Sequence, residues 1–126
     1  MVREAQSNSC HKNHYEDKDR HLVAVDSIIF GFDKKQLKIL LIKRNFEPCR
    51  EEWSLMGGFL RKNESLDDAA NRVLYSLTGL KDVYLEQLYT YGELNRDPGA
   101  RVISTAYYAL INIEKYKEQL TQKYSA

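Results

Sequence analysis

The sequence has few cysteines, no long apolar run and almost no excess of charge. Its 2 cysteines, Cys10 and Cys49, are too few for a disulfide framework. No apolar run approaches the roughly 20 residues that a membrane-spanning helix needs, and the N-terminus lacks the apolar core of a signal peptide. The 19 basic and 18 acidic residues leave a net charge of +1. This charge excludes a polybasic nucleic-acid-binding surface over the whole chain, and it excludes a highly charged disordered chain. We therefore expect a soluble cytoplasmic protein without membrane contact, whose function a motif must decide.

The chain is long enough for one domain. It has 126 residues, of which 43% are hydrophobic, against roughly 100–200 residues for a typical domain. Residues 1–21 are polar, mixed in charge and without periodicity, so we predict a flexible arm there and a folded domain over residues 22–126. The arm holds His11, His14 and His21. We expect these side chains to be solvated, because a flexible arm lacks the rigid ligand set that a metal needs.

Apolar patterning predicts strands and helices within residues 22–126. The predicted strands are 22–30, 37–42, 53–58, 83–94 and 102–113, and helical composition marks 65–77 and 114–124. The first two strands are expected to form a hairpin buried on both faces. Several strands with a capped helix between them predict an α+β or a mixed α/β domain.

The helix predicted over residues 65–77 has the clearest pattern. Its apolar residues recur at helical spacing and form one face: Leu66, Ala69, Ala70, Val73, Leu74 and Leu77. Ser65 with Asp68 three residues later has the spacing of a capping box. Gly79 follows the helix where a left-handed residue ends many helices.

The segment from Gly58 to Leu80 resembles the Nudix box, whose pattern is G-x5-E-x7-R-E-U-x-E-E-x-G-U, with U a bulky apolar residue. The positions that match are Gly58, Glu64, Arg72, Leu74, Gly79 and Leu80. The preceding residues 53–58 resemble the W-x-L-P-G-G lead-in of that family, with Met56 in place of proline. The resemblance implies a Nudix fold, which is an α/β/α sandwich with a mixed sheet and a Nudix helix. At 126 residues the fold is expected to be truncated at its C-terminus.

The resemblance fails at the three positions that carry the chemistry of the family. Nudix enzymes cleave a diphosphate bond with magnesium or a similar ion, which carboxylates on one face of the helix hold. Those three slots are Val73, Ser76 and Leu77 here, so the box supplies no catalytic residue and no metal ligand. We therefore expect no cofactor and lean against an enzyme. Of the remaining box residues, Glu64 and Arg72 are expected to form a structural ion pair.

A degenerate box is typical of one branch of the family. The chain resembles the ligand-binding domain of Nudix-related transcriptional regulators, in which a winged helix-turn-helix follows the Nudix domain. The segments that carry this resemblance are 25–30, 40–44, 53–59 and 96–104. Some members bind ADP-ribose, and a branch without the box glutamates senses L-arabinose and acts as a dimer. The resemblance implies a catalytically inactive domain that binds a small sugar or nucleotide-sugar effector, with L-arabinose favoured. It also implies a homodimer that binds DNA only through a winged-helix domain absent from this chain.

The resemblance also places the ligand cleft between the first strands, the box and the loop after the long strand. The ligand-binding candidates there are Asp26, Lys43, Arg44, Phe46, Glu93, Asp97 and Arg101. Tyr91 and Trp53 are further stacking candidates, although we expect Trp53 in the core before a place in the cleft. Asp26 is the strongest candidate, because a carboxylate within an apolar strand must have a partner. The box remnant is Gly58, Glu64, Arg72 and Gly79.

Two other functions stay open at this point. The first is an active Nudix hydrolase that cleaves ADP-ribose or another nucleoside diphosphate derivative, with Mg²⁺ on relocated ligands. The carboxylates available for that role are Glu51, Glu52, Glu64, Glu86 and Glu93. The second is a protein-interaction module with a vestigial cleft. An open polar cleft near Asp26 and Arg101 favours ligand binding, and a cleft filled by side chains favours the interaction module.

Overall fold

The computed structural model describes residues 14–43, 52–116 and 124–125, the last pair by their backbone. The predicted ligand residues Arg44 and Phe46 lie outside this part of the chain, as do Cys10, His11, Cys49 and Glu51. None of the helices in the described part is long and apolar enough to cross a membrane.

The main sheet is built around two long strands that run parallel to each other. These are β1 (Leu22–Asp33) and β7 (Val102–Asn112), which pair from Leu22 and Val102 to Phe32 and Asn112. The other edge of β1 pairs with β5 (Met56–Phe59) and then with β2 (Gln36–Ile39), both antiparallel. The strand β6 (Glu86–Tyr91) pairs antiparallel with β7. The sheet is therefore mixed, as predicted.

A smaller antiparallel sheet flanks the main one. Its strand β3 (Leu41–Lys43) pairs with β4 (Trp53–Ser54) and with β8 (Tyr124–Ser125). After β1, the described residues form the helices α1 (Leu66–Thr78) and the short α2 (Ile113–Tyr116).

Several predicted elements are wrong in their bounds or burial. The strand predicted over residues 53–58 divides at Leu55 into β4 and β5, which belong to different sheets. The single strand predicted over residues 37–42 divides at Leu40 into β2 and β3, which belong to different sheets. The predicted hairpin is not buried on both faces, since β2 lies at an edge and the Leu37 side chain is 67% exposed. The strand predicted over 83–94 covers only Glu86–Tyr91, and Tyr124 lies in a strand instead of a helix.

The helix α1 follows the sequence prediction. Ser65 caps it, because the Asp68 backbone N–H donates to Ser65 Oγ at 3.0 Å and the Ser65 backbone N–H donates to the Asp68 carboxylate at 3.3 Å. Gly79 ends it in the left-handed region at a φ of 78°. The apolar face of α1 packs on β1, where Ser27 Oγ donates to the Ala70 carbonyl at 3.3 Å.

The alternation of side chains along β1 separates the two faces of the sheet. Val25, Ser27 and Ile29 are buried beneath α1. The intervening residue Asp26 points to the opposite face, where Ser104 of β7 lies beside it. The fold thus buries one face of β1 in the core and presents the other to a cleft.

Candidate functional site

An open cleft of about 740 Å³ lies on the face of the sheet away from α1. Strands β1, β5 and β7 form its floor, and the loop between β6 and β7 forms a wall. The lining residues of the described part of the chain are Ala24, Asp26, Ile42, Leu55, Gly57, Gly58, Phe59, Arg96, Asp97, Pro98, Gly99, Val102 and Ser104. A second hollow of about 350 Å³ shares Asp26, Leu55 and Arg96 and reaches Tyr91.

Asp26 is a half-buried carboxylate on the cleft floor. Its Oδ2 accepts a hydrogen bond from Ser104 Oγ at 3.1 Å. Burial raises the pKa of the Asp26 carboxyl, and the Ser104 hydroxyl and the positive charge of Arg96 partly offset that rise. Gly57 makes room for this group, since a Cβ at Gly57 would lie 2.5 Å from Asp26 Oδ1. The site therefore keeps a carboxylate that accepts hydrogen bonds from hydroxyl groups. Its burial lowers the stability of the folded state when the group is ionised.

Arg96 lies in the wall of the cleft, in the loop between β6 and β7. Its Nη2 donates to the Val102 carbonyl at 3.2 Å, which ties the side chain to the start of β7. Three residues further along the loop, the Gly99 backbone N–H donates to Asp97 Oδ1 at 2.8 Å. These contacts hold the loop in the shape that brings the guanidinium to the cleft.

The structure brings only some of the predicted ligand residues together. Asp26 and Asp97 line the cleft. Lys43 is exposed at the end of β3, and Glu93 is exposed on the loop after β6, both outside the two hollows. Arg101 also lies outside them, where its Nη2 donates to the Gly92 carbonyl at 3.2 Å and bridges the base of the loop. The ligand-binding roles of these residues stay predictions, as do those of Arg44 and Phe46.

The two stacking candidates occupy different places. Tyr91 lines the smaller hollow beside Arg96. Trp53 is 50% exposed on β4 and lies outside the lining of both hollows.

Sequence reasoning missed Arg96 and Ser104 as cleft residues. The turn residues Asp97, Pro98 and Gly99 indicate a loop after Arg96. Nothing local indicates that this loop packs beside Asp26, which is far away in the sequence. Ser104 was missed because its position depends on the parallel register of β1 and β7.

An ion pair joins the loop and the helix of the Nudix-box remnant. Arg72 donates to Glu64 from Nε at 2.9 Å and from Nη2 at 2.6 Å, and Nη2 also donates to the Phe59 carbonyl at 2.8 Å. The Arg61 backbone N–H donates to Glu64 Oε1 at 2.8 Å. The Arg72 side chain is the main cause that lowers the pKa of Glu64 to about 2. The predicted structural pair between loop and helix is confirmed.

The three helix positions that hold metal ligands in a complete box do not suit a divalent cation here. Val73 is 3% exposed and belongs to the core, and Leu77 packs against that core. Ser76 Oγ donates back to the Val73 carbonyl at 3.2 Å. In residues 14–43 and 52–116, no three His, Cys, Asp or Glu side chains are grouped so that they can hold a metal ion. Since Mg²⁺ requires oxygen ligands, this donor set does not fit it.

A family model for the NUDIX domain matches residues 20–124. The chain belongs to the Nudix family. This membership agrees with the mixed sheet, the capped helix and the spacing of the box residues. The predicted Nudix fold is confirmed.

Of two curated relatives, one is named as a transcriptional repressor and the other as an enzyme. The chain is 41% identical over 101 residues to the ADPR responsive transcriptional repressor NtrR of Acinetobacter baylyi. It is 39% identical over 85 residues to the ADP-ribose pyrophosphatase of Methanocaldococcus jannaschii. These alignments cover 79% and 68% of this chain, but only 40% and 48% of the relatives. The chain thus spans less than half the length of either relative.

Solved structures of a regulator are also similar to this chain. The NUDIX domain of Shewanella oneidensis NrtR complexed with ADP ribose is 28% identical with a TM-score of 0.73, over 95% of this chain and 75% of that one. NrtR complexed with a 27mer DNA is 31% identical with a TM-score of 0.71, over 82% of this chain and 49% of that one. The predicted resemblance to Nudix-related transcriptional regulators is confirmed.

Proposed function

We propose that this chain is the effector-binding domain of a Nudix-related transcriptional regulator, and that it binds an ADP-ribose-class ligand without hydrolysing it. One observation carries the proposal. The cleft has the polar groups of Asp26, Ser104 and Arg96. The three metal-ligand positions of the box, in contrast, hold Val73, Ser76 and Leu77, which supply no carboxylate to bind Mg²⁺.

The chemistry of the cleft supports a ligand with both hydroxyl and phosphate groups. The Asp26 carboxylate accepts hydrogen bonds and suits ribose hydroxyls, and the Arg96 guanidinium suits phosphate oxygens. A cleft of about 740 Å³ is within the range for ligands of several rings. The names of both curated relatives refer to ADP-ribose, which supports the same class.

L-arabinose, the effector favoured by the sequence, is the second ligand to test. A pentose offers hydroxyls to Asp26, but it fills only a small part of the cleft and leaves Arg96 without an anion. The open cleft also favours ligand binding over a protein-interaction module with a vestigial site. We therefore place ADP-ribose ahead of L-arabinose.

The donor set supports the proposed absence of hydrolysis. Among the relocated ligands considered from the sequence, Glu64 is engaged by Arg72, and Glu86 accepts a hydrogen bond from Tyr108 Oη at 2.9 Å. Neither lines the cleft. An active hydrolase remains the competing function, and the relationship to the Methanocaldococcus pyrophosphatase is the observation that favours it.

Two measurements on the same protein test the proposal. Calorimetric titration with ADP-ribose and with L-arabinose should show saturable binding of ADP-ribose. Incubation of ADP-ribose with the protein and Mg²⁺ or Mn²⁺ should release AMP no faster than buffer does. Failure of ADP-ribose to bind the folded protein would overturn the proposal, and so would metal-dependent turnover.

Regulation is proposed at the level of the whole regulator. DNA binding is assigned to a winged-helix domain outside residues 1–126, and the ligand would act on it through a homodimer. Such coupling requires the ligand to bind two states of the dimer with different affinity. Sedimentation of this chain with and without ADP-ribose tests the dimer, and a monomer under both conditions would contradict it.

A further inference from the structure

We infer that Arg96 supplies the positive charge that holds the diphosphate of the ligand, so that binding needs no divalent cation. The inference rests on the proposed function, because it concerns how the same cleft recognises an ADP-ribose-class ligand. It adds a residue and a binding mode that neither the box nor its resemblance assigns.

The negative charge of a diphosphate must be offset in any cleft that binds it. A complete Nudix box does this with a metal ion, but Val73, Ser76 and Leu77 remove that route here. Asp26 and Asp97 are the carboxylates that line the cleft in the described part of the chain, and no third His, Cys, Asp or Glu side chain there is grouped with them to hold a metal ion. Asp26 accepts from the Ser104 hydroxyl, and Asp97 accepts from the Gly99 backbone N–H. The charge must therefore come from the protein.

Arg96 has the geometry for this task. Only one donor contact of its guanidinium is made within the described residues, at 3.2 Å to the Val102 carbonyl. A guanidinium carries five N–H donors in a planar fork that matches two phosphate oxygens. Within residues 14–43 and 52–116, no carboxylate oxygen lies within 4.0 Å of the Arg96 guanidinium nitrogens. The contact with Val102 holds the side chain in place, and Arg96 lines both hollows.

Arg96 and Asp26 together select a particular kind of ligand. Asp26 alone attracts hydroxyl groups but repels anions, and Arg96 alone attracts any anion. Their placement in one cleft favours a molecule that presents hydroxyls to one and phosphates to the other. A diphosphate joined to ribose meets this requirement, whereas free ribose or inorganic phosphate meets half of it.

The first test compares ADP-ribose titrations in EDTA with titrations in Mg²⁺ or Mn²⁺. We expect saturable binding of equal affinity in all three. Binding that appears only with the metal would overturn the inference and leave the proposed ligand class intact. No binding in any of them would overturn the proposed function, and the inference with it.

The second test changes the charge at two matched arginines. Arg96→Gln should weaken ADP-ribose binding about tenfold, because it removes charge-assisted hydrogen bonds to phosphate. It should leave the affinity for adenosine unchanged, since adenosine has no phosphate. Arg96→Lys should retain part of the affinity, because lysine keeps the charge but loses the fork.

Arg61→Gln is the control, because Arg61 is exposed on the box loop and lies outside both hollows. It should bind ADP-ribose like the unchanged protein. An Arg96→Gln variant with the melting temperature and the ADP-ribose affinity of the unchanged protein would contradict the role of Arg96. Equal losses for ADP-ribose and adenosine would contradict it too, because they would indicate a general distortion of the cleft.

Discussion

Val73 packs against the backbone of Gly58, so closely that a Cβ on Gly58 would lie 2.8 Å from Val73 Cγ2. Both residues occupy positions of the Nudix box, and their contact shows that the box now serves packing. The glycine is retained, while the residue opposite it has become part of the core. The box of this chain therefore acts as a structural joint between β5 and α1.

The first prediction concerns the return of a carboxylate to this joint. Val73→Glu should lower the free energy of unfolding by about 3 kcal/mol or more, because it buries a charge without a partner. Ser76→Glu should change it by less than about 0.5 kcal/mol, because Ser76 is exposed on the same helix. Urea denaturation of both variants measures the difference. Equal stabilities would show that Val73 does not contribute to the core.

The second prediction concerns the pH dependence of stability. The pKa of Glu64 falls to about 2 in the folded protein, below its ordinary value of 4.5. A lowered folded-state pKa means that the ionised carboxylate stabilises the fold above pH 4.5, and that this contribution is lost as the pH falls toward 2. Glu64→Gln should therefore lose less stability than the unchanged protein over that interval.

Thermal unfolding across this pH interval measures the effect of Glu64. The control is Asp17→Asn, which removes an exposed ion pair with Lys18 whose nitrogen and oxygen are 3.7 Å apart. Because such a pair contributes little, this variant should follow the unchanged protein. Identical pH profiles for Glu64→Gln and the unchanged protein would contradict the prediction.

The third prediction concerns a conflict between stability and binding at Asp26. Burial raises the pKa of this carboxyl, so the folded state is penalised when the group is ionised and gains stability as the pH falls through the raised pKa. Asp26→Asn should raise the melting temperature at neutral pH by about 1–3 °C. It should also weaken ligand binding, because the carboxylate acceptor is lost.

A matched control for Asp26 lies on the same strand. Asp33 pairs with Lys38, with 3.7 Å between nitrogen and oxygen, outside the cleft. Asp33→Asn should leave ADP-ribose affinity unchanged and should not raise the melting temperature. A loss of stability in Asp26→Asn would show that the carboxylate supports the fold instead of straining it.

The fourth prediction concerns the room that Gly57 leaves for Asp26. A methyl group there would lie 2.5 Å from Asp26 Oδ1, so Gly57→Ala must displace the carboxylate. We expect a loss of about 1–3 kcal/mol in stability and a marked loss of ligand affinity. Gly92→Ala is the control, because a Cβ at Gly92 meets no atom within 4 Å. Calorimetric titration and urea denaturation of the pair measure both effects.

The sequence predicts those features that depend on neighbouring residues. The helix α1, its cap at Ser65 and its end at Gly79 follow from spacings of a few residues. The pair of Glu64 and Arg72 was predicted from the box residues that the chain retains, which lie 8 positions apart across the junction of loop and helix.

Features that depend on distant residues were not predictable in this way. The apolar run 37–42 gives no sign that Leu40 ends one strand and that the chain then enters another sheet. The place of Arg96 beside Asp26 requires the loop, β1 and β7 to be assembled first. For this reason the sequence indicated the cleft but missed its arginine.

The parallel pairing of β1 and β7 has a consequence for how the protein folds. Every pair in this ladder, from Leu22 and Val102 onward, joins residues 80 positions apart. Closing such a large loop costs chain entropy before any contact is gained, which slows folding. Asp26 and Ser104 come together only when β1 and β7 have paired around them. The cleft therefore forms only after β7 has paired with β1, and a bound effector would report that these two distant strands have come together.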